Sequence, residues 1–353
     1  MKGGLTEMIK KTAKKRVWLI ITCCILTLIL LALFVIGILI KDFLSGINRI
    51  DNNEPTLSSE EIENILNETE GVQDDFTGPE LEDNDIVTPT EPASIIANDG
   101  YTHILLVGQD RRPGQSRTRS DAMILVTINK ATKTLTMTSF MRDLWVQIPG
   151  YYKERLNVPY AIDKGNGFDL LNKTLEYNFG VRAAHNVEVD FSGFSAAIDA
   201  VGGVDIQLTD AEAKYLNNLK KWNLVEGNNH LTGAEALAYS RIRQIGDDFE
   251  RTSRQRTVLN ALIEKAKALS LAELYSMTKS VLPLLTTDMT DKEILGCVLD
   301  LAKILPELTI VSQRIPVDGA YYNAKIGGRQ VLCLTENDWR TNINMLKETL
   351  TDN

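Results

Sequence analysis

The chain has 353 residues, room for one sizeable domain plus extra segments, and its formal net charge of −9 is unevenly spread. Residues 1–41 are basic, residues 42–99 are acidic with Arg49 their only cation, and the remainder is close to neutral. A near-neutral domain lacks the basic footprint of a nucleic-acid reader, which argues against a nucleic-acid partner. Val17–Ile40 carries no charge and is long enough to span a hydrocarbon core of roughly 30 Å. The cluster Lys10–Arg16 precedes it, so the expected orientation is N-terminus cytoplasmic and the bulk of the chain outside the cell membrane. The run is too long for a signal-peptide core, and no small-x-small cleavage site follows it. The expected organisation is a basic cytoplasmic head over 1–16, one transmembrane helix over 17–40, a flexible acidic stalk over 41–99 and a domain over 100–353. Within the stalk, 59–70 has the spacing of a short helix. Cys23 and Cys24 lie inside the apolar run; Cys297 and Cys333 read as buried free thiols, with one disulfide left open.

Order is expected from Tyr101. His103–Val107 and Met123–Ile128 are short runs dense in Ile, Leu and Val, the pattern of buried strands. Leu135–Ser139 follows the turn-like Asn129–Lys133 as the second arm of a hairpin. Phe168–Asn178 reads as a helix ending at Gly180, Val187–Val189 as a strand, and Phe191–Ala200 as a helix stopped by Gly202 and Gly203. Val204–Leu208 reads as a strand, and Leu231–Arg243 as a helix with Thr232 as its N-cap. Several helices fill Arg251–Ile304; strands near Ile310 and Val331 and a helix after Asn337 close the chain. This alternation predicts an α/β fold, a central mixed sheet sandwiched between helices.

Four polar clusters fall at the ends of these elements. Gly108–Arg112 follows the first strand; Arg117, Arg119, Ser120 and Asp121 precede the second; Met141–Asp143 follows the third. The fourth comprises Arg241, Arg243, Asp247, Asp248, Arg251, Arg254, Gln255 and Arg256. Strand ends of α/β sheets open into the crevice where ligands bind. Guanidinium groups match phosphate oxygens bidentately and stay charged, and Asp110 with Asp121 suits Mg²⁺, which takes a few carboxylates plus phosphate oxygens. Such a set suits a pyrophosphate, whose transfer needs charge neutralisation more than a protein nucleophile. Any one Arg–Asp pair alone is more often structural; the ordered combination is what points to a site.

That combination resembles the LytR-CpsA-Psr family of cell-wall glycopolymer ligases. The matching stretches are His103–Asp110, Arg119–Val126, Ser139–Val146 with Ile148–Gly150, Arg155–Asn157, Gly193–Phe194, Val201–Val204, Leu231–Arg243 and Asp247–Arg256, together covering about 101–267. Two departures stand out: His103 where the family usually has Asn, and Phe140-Met141 in place of Ile-Pro before Arg142. The resemblance implies an α-β-α sandwich that binds a polyprenyl pyrophosphate in a long apolar pocket, with arginines and Mg²⁺ (or Mn²⁺) on the pyrophosphate. It implies a transferase that joins wall teichoic acid, capsule or a similar glycopolymer to a muramic acid hydroxyl of peptidoglycan, releasing polyprenyl phosphate. By the same resemblance Asp110 and Asp121 are the metal-associated carboxylates. Arg119, Arg142, Arg241, Arg243, Arg251 and Gln255 are the pyrophosphate-binding positions, with Arg142, Asp121 and Arg241 the expected catalytic groups. Asp143 and Asp248 are expected to orient neighbouring arginines.

Two other functions stay open at this point: hydrolysis of the same lipid pyrophosphate, and a membrane-anchored transcriptional regulator of the envelope, which the expected orientation opposes. His103, His185 and His230 are scattered without zinc spacing, and no Gly-x-Ser-x-Gly signature occurs. Trp145, Tyr151 and Tyr152 read as packing residues before sugar-stacking ones.

Overall fold

A computed structural model describes residues 40–50, 58, 60–62, 78–96, 100–109, 118–163 and 165–351. The chain divides into two compact units, 1–46 and 47–353. Of the first, only 40–46 are described, helical over 40–44. The expected membrane span therefore lies outside the described residues except for Ile40. Among the described residues no helix is long and apolar enough to cross a membrane.

In the larger unit the first strands are β1 (Asn48–Arg49), β2 (Tyr101–Gln109), β3 (Ser120–Asn129), β4 (Thr134–Phe140), β5 (Trp145–Gln147) and β6 (Lys153–Arg155). Helices α1 (Val158–Ile162) and α2 (Phe168–Phe179) lead to β7 (His185–Asp190), α3 (Phe191–Ala200), β8 (Val204–Leu208), α4 (Asp210–Lys220) and β9 (Gly227–Leu231). Next come α5 (Gly233–Ser240), α6 (Asp248–Lys267), α7 (Leu271–Val281), β10 (Thr286–Thr287) and α8 (Asp291–Ile304). The chain closes with β11 (Thr309–Ile315), the hairpin β12 (Tyr322–Ile326) and β13 (Arg329–Cys333), and α9 (Glu336–Leu350).

Seven strands form the central sheet in the order β1-β10-β7-β2-β3-β4-β11. β3 is antiparallel to β2 and β4, while β7 runs parallel to β2 and β11 parallel to β4. The carboxyl ends of β2, β4, β7 and β11 and the start of β3 consequently share one edge. The β3–β4 hairpin turns where predicted, with the Asn129 carboxamide oxygen accepting the Ala131 and Thr132 amides at 2.9 and 3.1 Å.

Alternation along β2 and β3 sends Leu105, Val107, Met123 and Leu125 to one face, where Phe168, Leu171, Leu175 and Phe179 of α2 and Trp339, Leu346 and Leu350 of α9 complete a core. Phe140, Phe179 and Trp339 pack in series, with ring centroids 5.4 and 5.3 Å apart. Burying side chains of that size contributes roughly 1.5–3 kcal/mol each. The opposite face carries Ile124, Ile128, Leu135 and Met137 against Leu259 and Ile263 of α6 and Leu301 and Ile304 of α8. Helices thus cover both faces of a mixed sheet, as expected from the alternation.

Two expectations need correction. The helix expected over Leu231–Arg243 spans only Gly233–Ser240. Leu231 instead ends β9, paired with Val204 of β8, and the helix begins with a reciprocal Thr232–Glu235 capping box. Arg241 and Arg243 are thereby released into a loop. The expected stalk ending at residue 99 also gives way in part. Ile86 and Ile96 are buried, the Ala93 and Ile96 amides donate to Tyr177 and Gly180 at 2.8 and 2.9 Å, and Asn48–Arg49 joins the sheet edge. Gly180 is required there: its φ is +71°, and an added Cβ would meet the Ser94 carbonyl oxygen at 2.1 Å. Average polarity hid two apolar anchors in that segment. Of the helix expected over 59–70, residues 60–62 are helical and 63–70 lie outside the described residues. Phe140 and Met141, which stand where the family usually has Ile-Pro, are core residues, both at most 1 % exposed. Cys297 and Cys333 are free thiols, and Trp145 is a core residue at 2 % exposure.

Candidate active site at the carboxyl edge of the sheet

Arg142 sits two residues past β4, on a backbone tied from two sides. The Met141 amide donates to Ile315 at 2.8 Å, and the Arg142 carbonyl accepts the Asn157 amide at 3.1 Å. The Asn157 carbonyl in turn accepts the Ser120 amide at 3.3 Å, joining the end of β4 to the start of β3. The Arg142 side chain is 6 % exposed and meets three carboxylates: Asp121 at 3.0 Å, Asp143 at 3.5 Å and Asp248 at 3.6 Å. Arg251, one helical turn into α6, pairs with Asp248 at 2.9 Å and donates to the Asp121 carbonyl at 3.3 Å. Arg243 lies 3.8 Å from the same Asp121 oxygen that Arg142 contacts.

These groups form one electrostatic neighbourhood. Burial pulls the Arg251 pKa below its ordinary value; Asp248 and Asp121 oppose this, while the positive charges of Arg142 and Arg243 add to it. Three guanidinium groups drawn from the β4–β5 loop, the α5–α6 loop and α6 therefore converge around Asp121, as the sequence clusters led us to expect. Arg119, two residues before Asp121, is buried at 6 % exposure. Arg241 caps α5 and lies 4.1 Å over the Phe191 ring, directly after the carboxyl end of β7. Gln255 follows Arg251 by four residues on α6 and is half-buried, on the same helix face. Asp110 lies outside the described residues.

Asp248 orients arginines as expected, and the structure shows which two. Its two oxygens hold Arg142 and Arg251 apart and aimed, from the first turn of a helix whose N-cap, Asp247, accepts the Glu250 amide. The i,i+3 spacing of Asp248 and Arg251 was the available signal. Arg254, counted with the site from its position in sequence, does something else. It donates to Glu212 at 2.7 Å and to the Ile242 and Ile245 carbonyls at 3.2 and 2.8 Å, locking the loop that carries Arg243. Arg256 turns to the sheet and donates to the Ser139 hydroxyl at 2.7 Å.

For a divalent cation, the donor set is sparse but fitting. Among the described residues no three His, Cys, Asp or Glu side chains cluster as a metal cage. Mg²⁺ needs only one or two carboxylates when substrate phosphates supply further oxygens. Among the described residues, the Arg142 and Arg243 contacts with the Asp121 carboxylate both fall on its Oδ1, so this carboxylate is the one there that could hold a cation.

The chain is similar to known proteins in both sequence and fold. TagU of Bacillus cereus, a polyisoprenyl-teichoic acid–peptidoglycan teichoic acid transferase, is 36 % identical over 187 residues, 52 % of this chain and 56 % of TagU. Regulatory protein MsrR of Staphylococcus aureus is 37 % identical over 171 residues, 47 % of this chain and 50 % of MsrR. The chain thus spans about half the length of the curated relatives it matches. Among solved structures, TagT bound to LIIa-WTA aligns with a TM-score of 0.59 at 26 % identity, covering 74 % of this chain and 96 % of that one. The LytR-CPS2A-psr family protein YwtF (TagT) with bound octaprenyl pyrophosphate lipid aligns with a TM-score of 0.56 at 26 % identity, covering 74 % and 97 %. The sequence profile of the LytR_cpsA_psr family matches residues 68–348, most of the chain. With that span and this arginine-lined edge, the chain belongs to the LytR-CpsA-Psr family.

Proposed function

We propose that the protein transfers a glycopolymer from a polyprenyl-pyrophosphate carrier to a muramic acid hydroxyl of peptidoglycan. The observation that carries this reading is the convergence of Arg142, Arg243 and Arg251 on Asp121 at the edge of a sheet with one incompletely packed apolar face. Ile104, Leu106 and Val126 on that face are only half-buried, as are Leu259 and Ile263 of α6 above them. α7, whose sequence alternates Leu, Tyr, Met and Val with polar residues, fully buries no side chain. A sheet face and its covering helices normally interdigitate to crystal-like density. Apolar side chains left open beside a cationic edge suit a ligand with a pyrophosphate head and a hydrocarbon tail. The octaprenyl pyrophosphate bound to YwtF (TagT) supports the same ligand class here.

In the proposed reaction the acceptor hydroxyl oxygen forms a bond to the phosphorus that carries the glycan, and its proton passes to solvent. The phosphoanhydride bond to the lipid-side phosphate breaks, and polyprenyl phosphate leaves with that electron pair. Arg142, Arg243 and Arg251, with Arg119, Arg241 and Gln255, bind the diphosphate oxygens and neutralise the charge that builds on the leaving phosphate. Asp248 and Asp143 keep Arg142 in place before substrate arrives. Asp121, with Asp110, would hold Mg²⁺ or Mn²⁺, which when bound adds Lewis-acid neutralisation of the phosphate oxygens. Val17–Ile40 would anchor the protein as a single-pass span, N-terminus cytoplasmic and the domain on the outer side beside its donor and acceptor.

The test is reconstitution of the full chain with a polyprenyl-pyrophosphate-linked glycan and peptidoglycan. Covalent attachment of glycan with release of polyprenyl phosphate is expected. Release of phosphate at the same rate without acceptor would identify a pyrophosphatase instead.

A further inference from the structure

We infer that Glu188 is a positioning residue for the pyrophosphate site, acting through a part-buried hydrogen-bond relay that fixes Arg119. What Arg119 binds rests on the proposed function; the relay itself does not. β2 and β7 run parallel with Val107 paired to Glu188, so Glu188 shares a sheet face with Leu105, Val107 and Gln109. Gln109, fully buried at the end of β2, donates its Nε2 to Glu188 Oε1. The Gln109 Oε1 accepts the Thr118 amide at 3.2 Å. Tyr160 on α1, also fully buried, donates its hydroxyl to Glu188 Oε2.

The direction of this relay is dictated by its ends. A peptide N–H can only donate, so the Gln109 oxygen must face Thr118, and its amide nitrogen must then find an acceptor. A carboxylate at 188 accepts from that nitrogen and from the Tyr160 hydroxyl together, and a buried donor that loses such an acceptor gives up its hydration for nothing. The consequence falls on the next residue. Thr118 is held by Gln109 and the Ser120 amide by the Asn157 carbonyl at 3.3 Å, so Arg119 is flanked by two anchored amides. Asn157 also holds the Arg142 carbonyl, so the second anchor is common to both arginines.

The relay can be broken and rebuilt with near-isosteric changes in the full chain. Q109E sets two carboxylates face to face. The swapped pair Q109E/E188Q restores every donor–acceptor match with the carboxylate moved one position along: acid at 109 accepting Thr118, amide at 188 donating to it and accepting Tyr160. Two readouts are taken: affinity for a polyprenyl pyrophosphate, and hydrogen exchange over residues 118–121. Q109E is expected to weaken affinity about tenfold or more and to speed exchange, and the swap to recover both to within about threefold of the wild type. An unaffected Q109E, or a swap that fails to recover either readout, overturns the proposal. A wild type without lipid affinity would sink the functional reading instead. The exchange data alone would then decide the relay: protected in wild type, lost in Q109E and regained in the swap.

Discussion

Asp248→Asn isolates the carboxylate shared by two buried arginines. The Arg142 and Arg251 side chains are 6 % and 3 % exposed, and Asp248 lies 3.6 Å from the first and 2.9 Å from the second. At an effective dielectric of about 20, unit charges at the longer of these separations attract by roughly 4–5 kcal/mol. Most of this is not lost on substitution. Asp121 and Asp143 still face Arg142, and the Asn oxygen keeps the bond to Arg251. A net destabilisation of about 2 kcal/mol is expected, including the weaker interaction of an uncharged side chain with the α6 N-terminus. In a thermal-shift assay on the full chain this is a fall in midpoint of roughly 4 °C. Inorganic pyrophosphate should then raise the midpoint more in the variant than in the wild type, because its charge replaces the missing carboxylate. Equal midpoints together with equal pyrophosphate shifts would refute the view that Asp248 holds the arginines ready for a diphosphate.

Other expectations follow from neighbouring contacts. Arg254→Lys loses the fork that binds Ile242 and Ile245, so pyrophosphate affinity should fall about tenfold although residue 254 touches no ligand, measurable by calorimetry. For Glu212, burial alone favours the neutral form, but bonds from Arg254 and Thr209 outweigh it and hold the carboxyl below its ordinary pKa. Its contribution is thus full at neutral pH and lost on acidification, so the stability gap between wild type and Glu212→Gln should close as pH falls through the acid range. Arg256 is 9 % exposed with no carboxylate in salt-bridge range among the described residues, and burial with the nearby Arg314 charge pulls its pKa down to about 10. Arg256→Met should therefore be about 1 kcal/mol more stable at pH 7 in denaturant titrations. Ile263→Trp should fill the half-buried apolar face and weaken a long-chain polyprenyl pyrophosphate at least tenfold while leaving inorganic pyrophosphate binding unchanged, a contrast read by competition binding.

Local chemistry determined much of this protein by itself. The strands β2, β3 and β4, the Asn129 turn, the Gly180 stop and the Thr232 cap were legible because each depends on side chains within a few residues of one another. So was the placing of arginines and aspartates at strand ends, since the two-residue period and the turn signals show where a strand must stop. What only the tertiary structure decided involves partners far apart in sequence. Leu231 became a strand residue because Val204, beyond an intervening helix, offered it an antiparallel partner, which outweighed a helical pattern; at the other end the helix stops at Ser240 and leaves Arg241 and Arg243 to the loop. Ile86 and Ile96 left a polar segment for a core built from α2, β5 and β13, which no average over the stalk could foretell. Asp248 was legible as a partner for nearby arginines, but which two it joins, and that Glu188 stands beside Gln109 at all, appeared only once α6 and β7 were laid beside β4 and β2. A carboxylate's role is set by the charge it faces, and a linear sequence records which charges exist without recording which of them meet.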